Sequence, residues 1–210
     1  MKGSKCKICR RVGEKLFLKG ERCVSPKCAM VKRPYPPGQR AKKRRKGRPS
    51  EYAKELREKQ KLRNWYNLEE KQFKNYVKKI LRKKGKIKDP SLSLIQVLES
   101  RFDNIIFRFG FTLSRVKARQ LVSHGYFLVN GKETNFPSRH LKKGDVVSLR
   151  PQKSKKKIVK DIRILIKKNK PPAWLELNTE KLEGKVIKFP TLEEVSPPVE
   201  IPAIFEFYSR

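Results

Sequence analysis

The chain has 210 residues, of which 55 are Lys or Arg and 20 are Asp or Glu, giving a formal charge of +35. Self-repulsion on that scale opposes folding, so the cations call for a polyanionic partner, either nucleic acid or an anionic membrane. No run of about 18 apolar residues is present to span a bilayer. The basic residues also run along the whole chain instead of gathering on one amphipathic helix, which favours nucleic acid.

The opening MKGSKCKICRR lacks the apolar stretch of a secretion signal, so the cysteines are expected as reduced thiols in the cytoplasm. All four come early, as Cys6-x2-Cys9-x13-Cys23-x4-Cys28. Two close pairs joined by a short loop let four sulfurs converge tetrahedrally on one ion, and zinc is the first choice. An iron–sulfur cluster stays open on spacing alone. The ion is expected to be structural, since four protein ligands leave no position for water. Ile8, Val12, Leu16, Phe17, Leu18 and Val24 are too few apolar side chains to offset the entropy of ordering this segment without a metal.

Next comes VKRPYPPGQRAKKRRKGRP, residues 31–49. Lys42, Lys43, Arg44, Arg45, Lys46 and Arg48 read as an arm laid along phosphates and ordered by its partner. Ser50 then stands as the N-cap of a helix carrying Tyr52, Leu56, Leu62 and Tyr66. A second helix from about Leu68 places Phe73, Tyr76, Val77, Ile80 and Leu81 at i, i+3, i+4, i+7 and i+8. A third is expected from about Ser91 to Phe109, with Gly110 ending it. TLSRVKARQLVSHG predicts a short helix capped by Ser114 and closed by Gly125. Asn130-Gly131 between apolar runs is a strong hairpin signal, and DVVSLR adds a strand. Residues 156–168 fit strand or helix equally well. On the short helix Arg115 and Arg119 stand four apart with Lys117 beside them, a phosphate clamp expected on the solvent side.

The stretch SRFDNIIFRFGFTLSRVKARQLVSHGYFLVNGKETNFPSRHLKKGDVV closely resembles the RNA-binding domain named after ribosomal protein S-four. The shared pattern is R-x-D-N, R-x-G-F, S-R-x-x-A-R-Q-L-V-x-H-G, V-N-G, P-S and G-D. The flanks, CKICRRVGEKLFLKGERC, RPYPPGQ, RPSEYAKELREKQKLRNWY and the closing FYSR, are similar to the bacterial form of that small-subunit ribosomal family. The resemblance implies an α+β protein. Its parts would be a metal-bound knob and basic arm over 1–49, a helical domain over 50–97 completed by about 170–210, and an inserted RNA-binding domain over 98–165. That domain would hold a helix–turn–helix-like pair and a short antiparallel sheet.

The resemblance further implies binding to a junction in small-subunit (16S-type) ribosomal RNA early in assembly, and support of translation fidelity. Proteins S-five and S-three would be neighbours near the channel through which messenger RNA enters, with no membrane and no small-molecule substrate. Arg101, Arg108, Ser114, Arg115, Lys117, Arg119, Gln120, His124, Asn130 and Arg139 are then the expected RNA contacts, besides the arm. Asp103 is expected to pair with a nearby arginine. Such binding reads phosphates, 2′-hydroxyls and helix placement, because the deep RNA major groove excludes side chains. An RNA-modifying enzyme would need a further catalytic domain for which the remaining chain has no room. A DNA-reading regulator would turn Asn, Gln and Arg towards base edges, where this chain carries mostly Lys.

Overall fold

The computed structural model describes residues 4–38, 48–83, 85, 87–153, 156–168 and 170–209, so most of the basic arm lies outside it. The chain divides into two compact units, one of residues 1–94 with 197–210 and the other of residues 95–196. Among the described residues, no helix is long and apolar enough to cross a membrane.

The first unit begins with a small knob of three helices, α1 (Lys5–Val12), α2 (Glu21–Val24) and α3 (Ala29–Lys32). Leu16 and Leu18 turn inward against Cys9, with Ile8, Val12, Met30 and Trp65 packed around them. The helix α4 (Glu51–Trp65) starts where Ser50 Oγ accepts from the Ala53 amide at 3.3 Å, as the capping signal requires. Its neighbour α5 (Glu70–Leu81) buries Phe73, Val77 and Ile80 on one face, the stripe expected from their spacing.

The chain then enters α6 (Pro90–Glu99), α7 (Phe102–Arg108) and α8 (Arg115–Ser123). The single helix expected over 91–109 is therefore two. Arg101 adopts an extended backbone (φ −65°, ψ 137°) and forms an isolated bridge with His140. The Phe102 amide then donates to the Arg139 carbonyl at 2.8 Å. Pairing with a loop distant in sequence thus breaks a pattern that local spacing leaves continuous.

Strands β1 (Phe127–Val129) and β2 (Lys132–Glu133) form the expected hairpin, with Asn130 and Gly131 both at positive φ, 51° and 75°. These are the dihedrals a tight two-residue turn demands, and Asn and Gly tolerate them best. After β3 (Val146–Leu149), a single turn of 3-10 helix at Pro151–Lys153 leads to α9 (Lys157–Lys168), so the ambiguous segment is helical. Val159, Ile162 and Ile166 of α9 face the core.

Strands β4 (Leu175–Asn178) and β5 (Glu183–Val186) complete an antiparallel sheet of order β2-β1-β3-β5-β4. This corrects the expectation that everything from about 170 completes the helical domain. Trp174, Leu175, Leu182 and Val186 bury with Phe102, Phe109 and Phe127 in the second unit. That unit also keeps the short helix α10 (Leu192–Val195), and only the tail from 197 groups with the first. In the tail, α11 (Ile201–Ser209) buries Ile201 and Ile204 despite Pro202, which is tolerated in a first helical turn. Phe207 meets Tyr52 at 5.5 Å between ring centroids, and Tyr208 donates to Glu70 Oε1 at 2.7 Å.

Candidate nucleic-acid interface

The first turn of α8 sets the geometry of the second unit's cationic surface. Ser114 Oγ accepts from the Lys117 amide at 3.3 Å, fixing the helix start, and Gly125 at φ 66° ends it. Lys117 and Gln120 are exposed on α8, as is His124 at its C-terminal cap, and Arg119 is half-buried. Strand β2 adds exposed Lys132, and the loops beyond the hairpin add exposed Arg139, Lys142 and Lys143. Arg139 is held in place, its Nη1 donating to Thr134 Oγ1 at 2.8 Å. Asn130 serves the turn itself: its Nδ2 donates to Asp145 Oδ1 at 2.9 Å and its Oδ1 accepts from the Val146 amide at 2.8 Å.

Three arginines stand apart from this surface. Arg101 is fully buried, with Nε and Nη2 donating to the two oxygens of Asp103 at 3.0 and 2.7 Å. It is an internal ion pair, and its expected place among surface phosphate contacts is corrected accordingly. The expected Asp103–arginine pairing is this one. Arg115 is also buried, at 9 % exposure, against its expected solvent side. Its Nε donates to Asn104 Oδ1 at 2.8 Å, and its guanidinium stacks 4.5 Å from the Phe107 ring centroid. Arg108 is partly exposed, and it spans both oxygens of Glu99 at 2.9 and 2.7 Å.

The acids of this region explain why its surface is so positive. Between residues 95 and 153 the sequence has four, Glu99, Asp103, Glu133 and Asp145. Each is committed to a protein partner: Glu99 to Arg108, Asp103 to Arg101, Glu133 to Arg150 at 2.6 Å, and Asp145 to Asn130. Against these four acids the same stretch carries eleven Lys and Arg. Sequence reasoning missed Glu99 and Asn104 as organisers of this surface. The usable signal was an amide and a carboxylate inside an apolar pattern, since buried polar groups must find partners.

Of the arm, Arg48 is described and exposed, while Lys42, Lys43, Arg44, Arg45 and Lys46 lie outside the described residues.

In the knob, all four cysteines are free thiols; Cys9, Cys23 and Cys28 are buried and Cys6 partly so. They line one cavity of about 10 Å³, together with Leu18, Lys5 and Lys19, room for one atom-sized occupant. The Lys19 amide donates to Cys23 Sγ at 3.3 Å. Burial pushes the Cys9 thiol above its ordinary range. The nearby Cys23, Cys6 and Cys28 add to this, and the Leu16 amide opposes it. Among the described residues, however, no three or more Cys, His, Asp or Glu converge as a metal-binding group. The four cysteines thus share a cavity, without the tight metal-ligating convergence expected from their spacing.

Comparison with known proteins gives the same assignment from two sides. Residues 1–99 match the family described as ribosomal protein S4/S9 N-terminal domain, and residues 100–147 match the S4 domain. The chain is 46% identical to small ribosomal subunit protein uS4 of Halothermothrix orenii over 209 residues, covering 100% of this chain and 98% of that protein. It is 45% identical to uS4 of Thermus thermophilus, covering 99% and 98%. It is 47% identical to uS4 of Solidesulfovibrio magneticus, covering 99% and 97%. The chain belongs to the uS4 family of small-subunit ribosomal proteins.

Proposed function

We propose that this chain is a structural constituent of the small ribosomal subunit that binds the subunit's ribosomal RNA and has no enzymatic activity. The carrying observation is the exposed cationic face of α8 and the hairpin region, where three of the four acids of residues 95–153 are paired to arginines. Phosphates supply the missing negative charge, and released counterions make affinity fall steeply with salt. The protein acts early in assembly, on the ribosome in the cytoplasm. It engages a multi-helix junction through Lys117, Arg119, Gln120, His124, Arg139 and the arm from Lys42 to Arg48, with the partly exposed Arg108 beside them.

The C-terminal region suits a different neighbour. Residues 171–209 carry seven Glu and three Lys, inverting the charge of the rest of the chain. Glu176, Glu180 and Glu183 line a groove beside the β4–β5 hairpin, and Ile187, Phe189 and Leu192 are exposed nearby. Such a surface repels RNA and fits basic proteins. This supports a position against S-five and S-three, near the channel where messenger RNA enters, and a contribution to fidelity.

We also propose one structural zinc ion, with Cys6, Cys9, Cys23 and Cys28 as the residues that would hold it on drawing closer together. A single-occupant cavity, four sulfur donors and two lysines at its rim support this reading. Elemental analysis and an absorption spectrum of the purified protein test it. One zinc per chain is expected; an iron–sulfur absorption band would replace zinc, and finding neither would reject the metal.

The RNA reading is tested by competing duplex DNA against a ribosomal RNA junction fragment for the full chain at about 150 mM salt. Preference for the junction is expected, and preference for DNA would reject the reading.

A further inference from the structure

We infer that Glu99 is a positioning residue for RNA recognition, a buried carboxylate that holds the partly exposed Arg108 guanidinium from behind. This rests on the RNA reading above and names a group within it that touches no RNA. Glu99 closes α6 and is fully buried. The break at Ser100–Arg101 turns the chain, so Asn104 and Arg108 of α7 come back over it. Arg108 Nε and Nη2 grip both carboxylate oxygens at 2.9 and 2.7 Å. Asn104 Nδ2 donates to Glu99 Oε2 at 2.6 Å and to the Glu99 carbonyl at 3.2 Å. The other end of the same amide, Oδ1, accepts from Arg115 Nε at 2.8 Å.

The chemistry makes this relay directional. A carboxylate only accepts and a guanidinium only donates. The amide between them therefore has one allowed orientation, with nitrogen towards Glu99 and oxygen towards Arg115. Glu99 thus fixes Arg108 directly and Arg115 through the orientation of Asn104, while the Phe107 ring supports the Arg115 plane. A buried ion pair is weak evidence for stability, because well-packed apolar groups often serve as well. What this one supplies is direction. Planar forks recognise phosphate by geometry as much as by charge. The Arg108 side chain remains 19 % exposed while its partner Glu99 is fully buried.

The test turns on a sign. Glu99→Gln removes one negative charge from a cationic RNA binder, so bulk electrostatics alone would tighten binding. Positioning requires the opposite. In the full-length protein, we expect affinity for the ribosomal RNA junction fragment to fall at least tenfold, with heparin binding unchanged or tighter. Equal or tighter junction binding by Glu99→Gln overturns the assignment, as does a parallel loss of junction and heparin binding. Where Glu99→Gln does not fold, Arg108→Lys decides. It keeps the charge but cannot span both oxygens, and it should lose junction preference while keeping heparin affinity. Retained preference in that variant overturns the inference. The wild-type chain separates the two levels: if it fails to prefer the junction over heparin, the RNA reading itself falls, and this inference with it.

Discussion

The cysteine knob and the hairpin-backed domain reach order by different means. Among the described residues, the domain buries twenty apolar side chains in one cluster, from Phe102 to Val186. The knob buries Leu16 and Leu18 against Cys9 and borrows its remaining cover from Ile8, Val12, Met30 and Trp65. Two buried leucines contribute about 1.5–3 kcal/mol each, against a conformational cost of about 1–2 kcal/mol for every backbone residue ordered. Where the core is large, the chain uses no cysteine. Where it is small, four thiols share one cavity. The two regions should therefore fail independently, under different insults.

The largest expected effect falls on the knob. With the proposed ion bound, Cys9→Ser or chelation should remove a contribution of about 10 kcal/mol or more. New proteolytic cleavage should appear before Arg33, with the second unit uncut. Absence of new cleavage would remove the metal from this contrast. The domain's counterpart is Trp174→Ala, a truncation of a side chain 1 % exposed in the main core. It should cost about 3–5 kcal/mol by denaturant unfolding and leave the knob's protease resistance unchanged.

Gly184→Ala sharpens the same point at smaller scale. A Cβ there would stand 2.3 Å from the tip of the Phe109 ring, inside the packed core. A loss of about 1–3 kcal/mol is expected, and a neutral result would mean the ring can give way. Lys117→Ala should leave stability unchanged and lower the slope of log affinity against log salt by about 1. An unchanged slope would take Lys117 out of the interface.

The smallest effect concerns the C-terminal helix. Burial raises the Glu70 carboxyl, but hydrogen bonds from Lys59, Tyr208 and Arg63 outweigh this and hold it below its ordinary range. Burial and Glu70 together push the Tyr208 phenol well above its own. A lowered carboxyl stabilises the fold above its ordinary value, and that stability is lost as pH falls through the lowered one. A raised phenol stabilises below about pH 10, with loss as pH rises beyond it. Carboxypeptidase trimming of α11 should therefore speed up at both extremes, and Glu70→Gln should flatten the acid limb. Glu70 is substantially exposed, so solvent screening keeps the effect small.

The sequence was most legible where local chemistry decides structure. Ser50 and Ser114 cap as their types demand, and Asn130-Gly131 turns where two positive φ angles are needed. It was least legible where distant partners decide. The helix break at Arg101 depends on His140 and Arg139, which periodicity cannot see. Strands β4 and β5 are short and carry a glycine whose value lies in the Phe109 ring above it. Helix spacing placed Arg115 on the solvent side, and the family resemblance placed Arg101 among the RNA contacts. Both are drawn inside by groups the pattern passed over, Asp103 and Asn104. Lys117 and Arg139 needed no such correction of place, since both stand exposed where their type suggests.

Lysine footprinting of the full chain, free and bound to the ribosomal RNA junction fragment, tests most directly where the RNA lies. Lys117, Lys132, Lys142 and Lys143 are expected to lose reactivity towards an acylating reagent on binding, while Lys181 and Lys185 of the acidic hairpin keep theirs. Protection confined to Lys181 and Lys185, with Lys117 unchanged, would contradict the placement of RNA on α8 and the hairpin loops.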